Sequence, residues 1–163
     1  MEIRSAAPAD LDTILEIYEQ ARTFMRQQGN LHQWINGYPS KELICTDIQN
    51  GNCYVCVSDS QIVGVFCYFQ EPDPTYAQIY DGNWLNDAPY GVIHRIAVSA
   101  HRSGVAKACY DYALEQCSNL RIDTHRDNYP MQKSLSKYGF QRCGIIHLAN
   151  GDPRIAYQII RSY

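Results

Sequence analysis

Apolar positions along this chain switch repeatedly between two spacings. Leu11, Ile14, Leu15, Tyr18, Ala21 and Met25 fall three or four apart and so share one helical face, with Pro8 at the first turn and Gly29-Asn30 as the stop. Ser40 followed by Leu43, Ile44 and Ile48 predicts a second helix ending at Asn50-Gly51. Val105, Cys109, Tyr110, Ala113, Leu114 and Cys117 repeat the helical spacing, and residues 130–138 form a last helix closed by Gly139. Between them, β-rich runs cover residues 2–6, 52–57, 61–70, 92–98, 120–125, 141–148 and 154–160, with a hairpin at Ser58-Asp59-Ser60. The order β-α-α-β-β-β-α-β-α-β-β predicts an α/β protein built on a mixed α+β sheet with helices on both faces.

One junction in this pattern carries chemistry. The run 92–98 ends at the polar His101-Arg102-Ser103-Gly104, after which a helix begins. A strand feeding a helix through a glycine-bearing loop presents unpaired N–H groups at the positive end of the helix dipole, which suits an anion. The phosphate loop GxxxxGK[ST] and the dinucleotide fingerprint GxGxxG are both absent.

The 163 residues suit one domain, 1–163, with 45% apolar and 19% charged residues. A net charge of −3 with scattered Lys and Arg argues against a nucleic-acid surface. No signal-like apolar core or membrane-length apolar run is present, which predicts a cytoplasmic protein away from membranes. Seven irregularly spaced cysteines read as reduced thiols. Cys53 and Cys56 would point to opposite faces of a strand, so no metal site is expected.

The sequence His101-x-x-Gly104-x-Ala106 after Arg95-Ile96-Ala97-Val98 resembles the pyrophosphate signature of the GNAT superfamily of acyl-CoA-dependent N-acetyltransferases, [Gln/Arg]-x-x-Gly-x-[Gly/Ala], with His101 departing at the first position. The segment from Asn128 to Lys137-Tyr138-Gly139-Phe140 resembles the family's second segment, Asn-x-x-Ala-x-x-Leu-Tyr-x-Lys-x-Gly-Phe. Here Met131, Ser134 and Leu135 replace the alanine, leucine and tyrosine. The resemblance covers nearly the whole chain and implies the GNAT fold with acetyl-CoA as cofactor. It implies that the N–H groups of Arg102, Ser103, Gly104, Val105 and Ala106, with the side chains of Arg102 and Lys107, meet the pyrophosphate. The pantetheine arm would follow the backbone of Ile96, Ala97 and Val98 and touch Asn128.

Transfer to an amine also needs a base, because an amine with pKa about 10.4 is mostly protonated at neutral pH. His94, His125 and Asp123 are the candidates, the histidines favoured by their ordinary pKa near 6.5. Strand alternation places His94 with Ile96 and Val98, and Asp123 with His125. Structural roles compete with each: His94 as a hydrogen-bonded sheet residue, Asp123 as a partner of Arg121 or Arg95. Leu135 has no proton for the departing thiolate, so Tyr138, one turn on, is the candidate acid, with water or another tyrosine such as Tyr90 or Tyr129 as alternatives. Trp34, Tyr38, Trp84 and Tyr90 are candidate acceptor-binding aromatics, and Asp81 and Asp87 favour a cationic acceptor.

The acceptor would be a small-molecule or peptide amine, and a homodimer is left open. Against the enzyme stand a CoA-binding module without activity, suggested by His101 and Leu135, and an apolar-ligand or partner-binding domain, suggested by 13 tyrosines and two tryptophans.

Overall fold

The structure, a computed structural model, describes residues 1–99 and 102–162. Its strands are β1 (Glu2–Ser5), β2 (Cys53–Ser58), β3 (Gln61–Phe69), β4 (Gly91–Val98), β5 (Asn119–Thr124), β6 (Gln141–His147) and β7 (Pro153–Ile160). Its helices are α1 (Leu11–Gln27), α2 (Lys41–Gln49), α3 (Val105–Gln116) and α4 (Tyr129–Tyr138). The element order is the one the apolar spacing predicts. The β2–β3 hairpin turns through Asp59 and Ser60, both left-handed, which matches the twist of the two strands. Ser40 Oγ caps α2 by accepting from Leu43 N at 3.1 Å, and left-handed Gly139 closes α4.

All seven strands join one sheet, β1-β2-β3-β4-β5-β7-β6. The β4–β5 contact is parallel and the other contacts are antiparallel. On one face, Ile14, Ile17, Tyr18 and Ala21 of α1 and Ile44 of α2 bury Cys53, Val55, Val65, Cys67 and Ala97. On the other, α3 and α4 bury Cys56, Phe66, Ile93, Leu120 and Ile122. Cys53 and Cys56 thus enter different cores. Among the described residues no helix is long and apolar enough to cross a membrane, and no three His, Cys, Asp or Glu are grouped to hold a metal ion.

Two irregularities open the sheet at its centre. The parallel pair β4–β5 is joined only at Gly91–Leu120 and Val92–Arg121, so β4 separates from β5 beyond Val92. On the other side of β4, Val65 faces Ala97 and Cys67 faces His94, so Phe66 alone stands opposite both Arg95 and Ile96. This bulge holds Arg95 at a φ of 52°, in the left-handed region that non-glycine residues rarely adopt.

Candidate active site

The parting of β4 from β5 leaves two cavities that meet. One, of about 660 Å³, runs between α1, the end of β4 and the start of α3, and includes Ile96, Ala97, Val98, Arg102, Gly104, Val105 and Ala106. The other, of about 560 Å³, lies beneath the α1–α2 connection and the loop after β3, and includes Trp34, Tyr38, Asp73, His94, Asp123 and Arg154. Met25, Ile96, Asn128 and Met131 line both, so the cavities form one continuous passage across β4.

At the first cavity α3 begins from left-handed Gly104, φ 79°, and no side chain caps it. A Cβ at Gly104 would meet nothing within 4 Å, so the space over this turn is open. The contrast with α4 is direct: there Asn128 Oδ1 accepts from Met131 N at 3.1 Å. The uncapped amides of α3 retain their capacity for an anion, and Arg102 adds a cation on the same wall. Ser103 and Lys107 do not line the cavity. Lys107 instead bonds Asp111 at 2.7 Å, one turn along α3. His101, where the sequence departs from the signature, lies outside the described residues.

The second cavity holds the titratable groups. His94 Nε2 lies 2.8 Å from Asp73 Oδ2. Burial would raise the Asp73 carboxyl, but hydrogen bonds from His94 and from the side chain and backbone of Thr75 outweigh it and hold the group at about 2. Asp73 is therefore an acceptor at neutral pH, which makes Nε2 the donor and leaves Nδ1 of a neutral imidazole bare. Beside this pair, Tyr76 donates to Asp123 Oδ2 at 2.6 Å. Burial first, then Asp123, pushes the Tyr76 hydroxyl far up, so it remains a donor.

A model of the acetyltransferase (GNAT) family matches residues 11–140. The chain belongs to the GNAT acetyltransferase family. This GNAT chain is also similar to a solved GNAT-family acetyltransferase from Streptococcus agalactiae, 34% identical over 99% of this chain and 96% of that one, with a TM-score of 0.91. A putative acetyltransferase from Staphylococcus aureus is 25% identical over 98% and 99% of the two chains, with a TM-score of 0.71. A ribosomal-protein-alanine N-acetyltransferase from Brucella melitensis shares the fold at 19% identity, covering 99% and 100%, with a TM-score of 0.67. No curated protein matches.

Several sequence-predicted residues of this GNAT chain sit elsewhere than expected. His94 does not share a face with Ile96 and Val98: those two pack with Ile93 against the α3 core, and the bulge between them and His94 breaks the alternation. His125 lies past the end of β5, is only 8% exposed and does not line the acceptor-side cavity. Its Nδ1 accepts from Asp127 N at 3.0 Å. Tyr138 lines neither cavity; its hydroxyl donates to Asp111 at 2.6 Å, and its ring packs on Tyr110 and Phe140. Leu135 is fully buried core.

Trp84 and Tyr90 are not on the wall either, but both hold the turn that carries Asp73 and Tyr76. Tyr90 Oη accepts from Asp73 N at 2.9 Å, and Trp84 Nε1 donates to Tyr76 O at 2.9 Å. Arg121 stacks between their two rings, 4.1 Å from each, and so is not the partner of Asp123. Arg95 is not its partner either, since it pairs with Asp47. Asp81 and Asp87 do not line the cavity, and neighbouring Tyr80 is stitched to Ile145 of β6 by two backbone hydrogen bonds. Trp34 and Tyr38 do stand on the wall, with their rings edge to face.

Asp73, Tyr76, Asp47 and Arg154 are the residues sequence reasoning missed. Asp73 carried one local signal, its place before Pro74 and Thr75, where an aspartate favours a turn; its side chain does accept from Thr75 N at 2.9 Å.

Proposed function

We propose that this protein is an N-acetyltransferase that moves the acetyl group of acetyl-CoA to a primary amine by direct attack, with His94 as the base and Asp73 as its partner. The observation that carries the reading is the His94–Asp73 pair facing a cavity continuous with the uncapped start of α3. Acetyl-CoA, when bound, supplies an acetyl group activated as a thioester. The N–H groups from Gly104 to Ala106 and the Arg102 side chain suit its pyrophosphate. The unladdered edge of β4 from Ile96 to Val98 suits its amide-bearing arm.

In this reading the acceptor enters from the Trp34 and Tyr38 side. His94 Nδ1 takes a proton from the amine nitrogen, and the Asp73 carboxylate stabilises the imidazolium that results. Leu135 donates no proton, and a thiol of pKa about 8.5 leaves readily without one. Asp123, kept in place by Tyr76, adds negative charge that attracts an ammonium.

Calorimetry with acetyl-CoA, paired with thiol release in the presence of amines, tests the proposal. Binding with amine-dependent thiol release is expected. Binding without release from any amine would assign a CoA-binding module instead, and absence of binding would overturn both.

A further inference from the structure

Resting on the transferase reading above, we infer that the acceptor is a free amino acid, its carboxylate held by Arg154 and its amine presented to His94.

Arg154 is an unusual cation. It is only 5% exposed, yet it lines the acceptor-side cavity. Its guanidinium donates to two backbone carbonyls, Pro153 O at 2.9 Å and Gln33 O at 3.3 Å. Among the described residues no carboxylate lies within ion-pair distance of it. The other arginine on this wall, Arg95, is neutralised by two hydrogen bonds to buried Asp47. A guanidinium taken out of water without a carboxylate is costly, and its planar fork is shaped for one.

The opposite charge is also present and is kept apart from it. Asp123 and Asp152 both line the same cavity, close enough to act on Arg154 electrostatically, but neither forms an ion pair with it. Tyr76 holds Asp123 through its hydroxyl, which donates to Oδ2 at 2.6 Å. A cavity that keeps a cation and an anion near one another but unjoined suits a ligand carrying both charges. An amino acid has this form: its ammonium would meet Asp123 and then His94, and its carboxylate would meet Arg154.

Size and surroundings agree. The volume of about 560 Å³ suits a small molecule. Gln33 fastens the loop over the cavity to Arg154, Asn128 and Thr124. Its carbonyl accepts from Arg154, its Oε1 accepts from Asn128 Nδ2 at 2.8 Å, and its Nε2 donates to Thr124 Oγ1 at 3.4 Å. Trp34 and Tyr38 then offer an apolar surface for the amino-acid side chain. In the reaction the ammonium gives one proton through His94 to water, a nitrogen–carbon bond forms to the acetyl carbon, the carbon–sulfur bond breaks, and the second proton lost from nitrogen ends on the CoA thiol.

The test is thiol release from acetyl-CoA with the twenty common amino acids, their amides, and spermidine. The unmodified protein should use at least one free amino acid better than its own amide by about a hundredfold or more in kcat/KM, because the amide leaves the guanidinium unmatched. Arg154→Gln should collapse that ratio toward one, and Arg154→Lys should keep part of it. Should Arg154→Gln fail to fold, the ratio in the unmodified protein and in Arg154→Lys still decides. Amides or spermidine used as well as, or better than, free amino acids would overturn this inference and leave the transferase reading standing. Acetyl-CoA binding with no acceptor used would overturn both.

Discussion

The guanidinium of Arg95 grips the carboxylate of Asp47 through two hydrogen bonds of 2.9 Å, although Arg95 sits on β4 and Asp47 on α2. This pair, with Tyr18 donating to Arg95 O at 2.8 Å, fixes the left-handed bulge between His94 and Ile96. A non-glycine residue there costs on the order of 1–3 kcal/mol, so surrounding contacts must hold it. The bulge in turn sends His94 toward one cavity and Ile96 to the point where the two cavities meet.

Removing Asp47 should therefore be severe. Asp47→Ala leaves a largely buried guanidinium without its partner and should lower stability by about 3–5 kcal/mol in urea unfolding. A loss below about 1 kcal/mol would mean that the pair does not hold the bulge.

His94→Ala should lower kcat by roughly 10²- to 10⁴-fold, the usual worth of a positioned base. Acetyl-CoA affinity, read by calorimetry, should stay within about threefold because His94 faces the other cavity. Wild-type turnover by the variant would remove His94 from the chemistry.

Acid should weaken the fold partly through Asp73. Its carboxyl stands at about 2 against an ordinary 3.8, with burial opposed and outweighed by the hydrogen bonds from His94 and Thr75. Because the folded state favours the ionised form, this contribution is whole above pH 4 or so and disappears as pH falls toward 2. Partial exposure limits it to about 1–2 kcal/mol. Asp73→Asn should flatten the stability profile between those limits, and an unchanged slope would contradict the assignment.

His125 predicts a second pH effect, of the opposite kind of group but the same direction. Burial first, then Arg154, lowers its pKa below 6.5, and its Nδ1 accepts a backbone N–H. Protonation therefore favours the unfolded chain, so stability should fall as pH drops below about 6.5. His125→Gln should reduce this fall in thermal unfolding at pH 7.5 and 5.5. Equal falls in both proteins would mean that His125 is not the group responsible.

Tyr138→Phe should leave kcat unchanged, since the hydroxyl bonds Asp111 away from both cavities. Stability should drop by about 1 kcal/mol with the lost hydrogen bond. A large fall in kcat would restore Tyr138 as the acid.

The elements, their order and the start of α3 follow from local features of the chain. Helical faces, the Ser40 cap, the hairpin at Asp59-Ser60 and the Gly104 turn all arise from residues a few positions apart, where periodicity and backbone preference act directly. The acceptor side is assembled only by folding. Asp73 meets His94, Tyr76 meets Asp123, Asp47 meets Arg95 and Gln33 meets Arg154 across long stretches of chain. Those meetings depend on the parting of β4 from β5, on β7 entering between β5 and β6, and on a bulge at an arginine. Local spacing carries no trace of such a bulge, because its stability comes from Tyr18 and Asp47, which reach it only once the helices have packed on the sheet.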